Sequence, residues 1–132
     1  LARTLLPSWL KEELDVSVGE LARAFFKTRE GLVEVNLYSE GEREGAKVIV
    51  LGEVSSRIRA GDVRRFLHKA SLVKPLLPPG VEVLYVMFGY YIHLSALEVA
   101  EAEQVHLVAS YMEPTKVFEE QPSGEEREPP SK

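Results

Sequence analysis

Side chains two apart on a β-strand point to the same side of the sheet. Glu34 with Asn36, and Glu53 with Ser55, are therefore each set to share a face. Glu53 directly follows the apolar run Val48-Ile-Val-Leu-Gly52. A carboxylate at the edge of such a run is costly unless it is paired, hydrogen-bonded or bound to a cation. Two carboxylates from neighbouring strands are a common way to hold Mg²⁺, which takes one or two protein carboxylates and keeps several waters. The same glutamate has other outlets: an ion pair with Arg57, Arg64 or Arg65, or direct access to solvent.

A second feature follows it. Between Ser55 and Lys74, the cations Arg57, Arg59, Arg64, Arg65, Lys69 and Lys74 face a single acid, Asp62. A locally basic element binds phosphate even in an acidic protein, because the field near the surface matters more than the sum; the other reading is a solvated helix face. Four further sets of residues carry less. His68, His93 and His106 are far apart and fall on different elements, which does not suggest a histidine metal site. Ser55-Ser56 lacks the glycine pattern of a nucleophile elbow, and Gly41 and Gly45 have no following helix to make a phosphate loop. Tyr85, Tyr90 and Tyr91 are able to stack on bases, but aromatics beside a core strand are expected chiefly to pack.

Composition sets the bounds. The chain has 132 residues, 45% of them apolar and 28% charged, which is the profile of one folded domain rather than a disordered chain. Cysteine is absent, so disulfides, thiolate metal sites and cysteine nucleophiles are excluded. No apolar run approaches the roughly 18–20 residues of a membrane span, and no secretory leader is visible, so a cytoplasmic location is expected. The sequence opens on Leu1 rather than methionine, and an upstream segment is expected to be missing. Net charge is −5, but the last twenty residues hold six acids against three bases, which leaves the body only mildly acidic. Asn36 is the sole asparagine, and Gln104 and Gln121 the sole glutamines, a scarcity that fits a thermophile.

The elements that must position these residues read as follows. Pro7-Ser-Trp-Leu-Lys-Glu-Glu-Leu14 predicts a short helix with Trp9, Leu10 and Leu14 on one side. Residues 20–28 are read as one strand of a hairpin, although Leu21, Ala24 and Phe25 also fit a helical stripe. Residues 32–38 alternate, with Val33, Val35 and Leu37 one way and Glu34, Asn36 and Tyr38 the other. Ser39-Glu-Gly-Glu-Arg-Glu-Gly45 reads as a polar turn. Residues 47–58 form a strand whose start, 48–51, is apolar on both faces, the mark of a central position. Residues 59–74 predict a helix about 24 Å long, with Val63, Phe66, Leu67, Ala70 and Val73 inward and Pro75 beyond its end. A strand at 81–88, a helix at 93–103 and a strand at 105–110 complete the chain, the last two strands parallel through a right-handed crossover. The fold class is α/β, a mixed central sheet flanked by helices. Residues 1–19 are expected as a helical lead-in, 20–111 as the α/β core, and 112–132 as an acidic, proline-rich disordered tail.

The runs Val33-Glu-Val-Asn-Leu-Tyr38, Val48-Ile-Val-Leu-Gly-Glu-Val-Ser-Ser56 and Arg59-Ala-Gly-Asp-Val-Arg-Arg-Phe-Leu67, in that order, resemble the PD-(D/E)XK, or restriction-endonuclease-like, superfamily. The likeness is greatest to its small uncharacterised archaeal and thermophilic members, and it covers residues 20–111. It implies that Glu53 is the first acid of the E-x-K motif and binds Mg²⁺. Asn36 then stands where the family has aspartate, with Glu34 two residues earlier as a replacement ligand. Ser55 stands at the lysine position, and Lys69 or Arg65 on the following helix is left to supply the missing cation. The resemblance thus implies a Mg²⁺-dependent nuclease acting on DNA, with Glu34, Asn36 and Glu53 at the metal and Glu53, Ser55 and Lys69 at the chemistry. Arg57, Arg59, Arg64, Arg65 and Lys74 would hold the nucleic acid. Loss of one preorganised charge at a reaction centre typically costs about 10²–10³ in rate. The alternative is therefore a catalytically inactive nucleic-acid-binding or protein-assembly module on the same fold, with a homodimer as one form of assembly.

Overall fold

The computed structural model of the chain describes residues 1–110 and 117–120. Helix α1 (Ala2–Leu14) leads into strands β1 (Ser17–Val18), β2 (Ala22–Thr28), β3 (Gly31–Arg43) and β4 (Ala46–Ile58). Helix α2 (Ala60–Val73), strand β5 (Glu82–Ile92), helix α3 (Leu94–Glu103) and strand β6 (Val105–Ala109) follow. The sheet runs β1-β3-β4-β5-β6, with β2 also paired to β3. β3 and β4 are antiparallel, whereas β4, β5 and β6 are mutually parallel. This is the mixed α/β sheet flanked by helices that the sequence implies.

The apolar run 48–51 is buried on both faces because both faces are covered. Val48 and Val50 join Leu37, Val86 and Phe88 under Leu6 and Leu10 of α1. Ile49 and Leu51 join Val35 and Met87 under Val63, Phe66, Ala70 and Val73 of α2 and Ala96 and Ala100 of α3. Of residues 1–19, expected as a lead-in, α1 forms the layer that covers one side of the sheet, and Ser17–Val18 joins the sheet as β1. Helix α2 begins where Asp62 accepts the Arg59 backbone N–H at 2.9 Å, an acid in the first turn that also suits the helix dipole. It closes in a 3₁₀ turn, Lys74–Leu76, that contains Pro75. Helix α3 is capped by the His93 ring, which accepts the Ser95 N–H at 3.1 Å.

Three details differ from the sequence reading. The first helix starts at Ala2, not near Pro7, which lies inside it and forfeits one helical hydrogen bond. Burial of Ala2, Leu6 and Leu10 on one stripe carries the helix through the proline. Ser39-Glu-Gly-Glu-Arg43 is strand rather than turn, paired residue by residue with β4 down to Arg43 opposite Ala46. The actual turn is Glu44-Gly45, both with positive φ, 50° and 80°, the conformation that two-residue hairpins favour. Gly41 is a close-approach glycine, since a Cβ there would lie 2.5 Å from the Ser17 carbonyl oxygen.

The third difference matters for the site. Val33, Val35 and Leu37 do not share a face: Val33 and Val35 lie in the core under α2, and Leu37 in the core under α1. The β2–β3 register slips between Ala24 opposite Val35 and Ala22 opposite Tyr38, which inserts one extra residue into β3. Such a bulge re-aims the side chains beyond it, and here it falls at Asn36. The tail expected over 112–132 lies outside the described residues apart from 117–120, which are exposed and without regular structure. No helix among the described residues is long and apolar enough to cross a membrane.

Candidate functional site

The β3–β4 ladder ends at Leu37 opposite Gly52. Just beyond, two backbone N–H groups take side-chain partners. The Asn36 N–H donates to Glu53 Oε2 at 3.1 Å, and the Val54 N–H donates to Asn36 Oδ1 at 3.0 Å. These crossed caps hold the splayed ends of the two strands together. They also explain the glutamate that the sequence marks as needing a partner.

The other Glu53 oxygen, Oε1, accepts Lys69 Nζ at 2.8 Å. Lys69 lies on the flank of α2 beside Phe66 and Ala70, and both charged side chains are mostly buried, 29% and 17% exposed. Together with Ser55, Asp62, Arg65, Phe66 and Met87 they line a hollow of about 250 Å³ between β4 and α2. Arg65 pairs with Asp62 there, so the charges of the hollow cancel in two pairs. The Ser55 hydroxyl donates to the Arg57 carbonyl at 2.7 Å, a local backbone contact. Asp62 is a second carboxylate in this hollow. Its position on the first turn of a helix just after β4 is the signal by which the sequence could have nominated it.

Glu34 is elsewhere. It lines a separate hollow with Asn36, Leu37, Val54, Phe88 and Tyr90 near the start of α1, and its carboxylate faces Arg23 Nε at 3.8 Å. The structure thus brings together Glu53, Asn36, Ser55 and Lys69, and leaves Glu34 outside the set. Magnesium needs oxygen donors free to face it. Glu53 has both oxygens engaged by donors, and the Asn36 carbonyl oxygen is taken by a backbone N–H. No group of three or more histidine, aspartate or glutamate side chains among the described residues is placed to hold a metal. The donor set does not fit the Mg²⁺ that the sequence resemblance implies.

The cations of the α2 region divide in two. Arg65 and Lys69 are paired with acids on the helix flank. Arg57, Arg59 and Arg64 are exposed and have no carboxylate partner among the described residues. They gather where β4 ends and α2 begins, at the carboxyl end of the parallel strands. Lys74, also exposed, sits at the far end of α2, about 20 Å away along the axis. Tyr85 packs on Phe66, but Tyr90 and Tyr91 stand out from the end of β5, contrary to the packing role expected of them. The histidines serve three separate elements: His68 faces Glu30 at 3.1 Å, His93 caps α3, and His106 lies edge-on to Trp9.

Neither a family model nor a curated protein matches the sequence. Two solved structures are similar in fold. A repair endonuclease from Pyrococcus abyssi superposes with a TM-score of 0.51 at 14% identity, over 80% of this chain and 45% of that one. The apo form of EndoMS gives a TM-score of 0.42 at 14% identity, over 88% of this chain and 48% of that one. The chain thus spans less than half the length of either. The first likeness establishes the fold, the restriction-endonuclease-like α/β sheet that the sequence resembles.

Proposed function

We propose that this chain is a nucleic-acid-binding module on a restriction-endonuclease-like fold, one that binds DNA without cutting it. The observation that carries the reading is the state of Glu53. Its two oxygens hold the Lys69 ammonium and the Asn36 N–H, and Glu34 is not beside it. A lysine cation fills the role at that carboxylate which a divalent ion has in the family. The binding half of the reading rests on Arg57, Arg59 and Arg64, clustered at the carboxyl ends of β4 and β5, where open α/β sheets usually receive ligands. The unit that binds is the core of residues 20–111 with α1 as its cover, acting in the cytoplasm.

Affinity from so few cations is modest and salt-dependent. Three phosphate contacts give a log–log salt slope of roughly −3. The test is anisotropy of a labelled oligonucleotide in chelator across a salt series. Binding at low salt with that slope, flattened by about two units in Arg57→Ala/Arg64→Ala, supports the reading. No binding at the lowest salt removes it.

One observation favours a second reading, a metal-dependent nuclease: Lys69 stands beside Glu53 and supplies the cation that Ser55 does not. That reading requires Glu34 to swing to Glu53, and it predicts divalent-dependent cleavage that Glu53→Gln abolishes.

A further inference from the structure

Strand β3 stays paired with β2 after it has parted from β4. The β3–β4 ladder stops at Leu37 opposite Gly52, whereas the β2–β3 ladder runs on to Thr28 opposite Gly31. The far part of this hairpin is therefore a two-stranded arm that begins at the Asn36 bulge. Its inner face, with Phe26 and Val33, packs on the core under α2. Its turn is braced: the Thr28 hydroxyl donates to the Gly31 carbonyl at 2.7 Å and accepts the Glu30 N–H at 3.1 Å. Glu30 in turn meets His68 of α2 at 3.1 Å. Arg64 lies one helical turn before His68 on the same side of α2, so the turn of the arm is moored beside the cations that lead into the helix. Lys27 and Arg29 flank that turn, exposed and without a carboxylate partner among the described residues.

We infer that the turn of this arm is a second contact on duplex DNA: Lys27 and Arg29 meet the phosphates of one strand, while Arg57, Arg59 and Arg64 meet those of the other across a groove. The inference rests on the nucleic-acid reading and deepens it, naming the form of the substrate and a contact that the α2 cations do not supply. From Arg59 to His68, α2 rises about 14 Å at 1.5 Å per residue. The major groove of B-form DNA is about 12 Å wide, and it admits a two-stranded β-ribbon. Two groups of cations at that separation match two backbones held apart by base pairing. A single strand has one backbone, and no partner strand holds a second at that distance.

The acids beside these cations are engaged within the protein. Glu30 faces His68, and Asp62 accepts the Arg59 N–H and pairs with Arg65. The arm is also tied down before any DNA arrives, by its inner face on the core and by Glu30 on α2. Little has to be ordered when its cations meet a phosphate, which keeps the entropic cost of the contact small. Lys27 alternates with the inward Phe26 and so points away from α2, toward the side from which a second strand approaches.

The experiment measures anisotropy of a labelled duplex, and of one of its strands alone, with the full chain in chelator across a salt series. Lys27→Ala/Arg29→Ala is compared with wild type and with Arg57→Ala/Arg64→Ala, and a melting curve of each confirms folding. The two added phosphate contacts are expected to steepen the wild-type duplex slope by roughly two units beyond the roughly −3 of the three arginines. Lys27→Ala/Arg29→Ala then returns the duplex slope to roughly −3 and leaves the single-strand slope where it was. A duplex slope that this variant does not change, with loss only in Arg57→Ala/Arg64→Ala, overturns the arm contact while the nucleic-acid reading stands. Equal flattening for duplex and single strand overturns the two-strand geometry in the same way. Failure of both probes to bind overturns both readings.

Discussion

At the scale of single residues, the account turns on Glu53 as a cap and a counter-ion. Lys69→Ala leaves a largely buried carboxylate without its cation, and a stability loss of about 1–2 kcal/mol is expected by urea denaturation. Asn36→Ala orphans the Val54 N–H and is expected to cost about 1–2 kcal/mol by the same measurement. A wild-type midpoint in either variant would mean that the hydrogen bonds are not formed. Because the donor set does not suit a divalent ion, millimolar Mg²⁺ or Mn²⁺ leaves the melting temperature of the wild type unmoved. A rise by mass action that vanishes in Glu53→Ala would mean that metal displaces Lys69. His106 provides a pH test. Burial, and then the nearby Arg43 cation, lowers its pKa below the ordinary 6.5. The folded state therefore takes up fewer protons than the unfolded chain below that pH. The contribution of this group is complete above about 6.5 and is lost as pH falls toward the folded-state value. In His106→Gln the stability–pH curve should be flatter across that window; an unchanged slope would assign it to other groups.

At the scale of elements, the ordering of helices and strands was readable because each carries its own period. The buried stripe of α2 and the two-sided apolar run of β4 are examples. What escaped was local to β3. Its second half is polar and contains Gly41, so it reads as a turn, although Gly41 is there because β1 passes too close for a side chain. The bulge at Asn36 left no mark in composition, yet it puts Leu37 on the face opposite to Val35. Alternation counted straight through that point aims Glu34 and Asn36 with Glu53. Of the expected site, Glu53 and its approach by Lys69 were therefore legible, and the absence of Glu34 from it was not. A test at this scale is Gly89→Ala. Gly89 pairs with Ser55 across the parallel β4–β5 ladder, and a Cβ there would stand 2.6 Å from the Ser55 carbonyl oxygen. A loss of about 1–3 kcal/mol is expected in thermal or urea unfolding. A neutral substitution would mean that the two strands have room to part.

At the scale of the whole molecule, one sheet presents two differently equipped surfaces. Around α2 the charges cancel inside the hollow, and exposed cations gather where β4 runs into the helix, with Lys74 at its far end. On the α1 side of the sheet Phe25 and Tyr90 are exposed, and the Arg23 guanidinium sits over the Phe25 ring. Net acidity and local cations coexist because the field falls off over about 10 Å at moderate salt. The same fold is shared with a repair endonuclease; on the proposed reading, what separates binding from cutting is a few side chains at the end of the β3–β4 ladder. The direct measurement is a gel-shift of labelled DNA at low salt. It is run in chelator and again after incubation with millimolar Mg²⁺ and with Mn²⁺, with the DNA then recovered and sized. The account predicts a retarded complex in chelator and full-length DNA from every lane. Shortened DNA that appears only with the divalent ion, and not with Glu53→Gln protein, would contradict it.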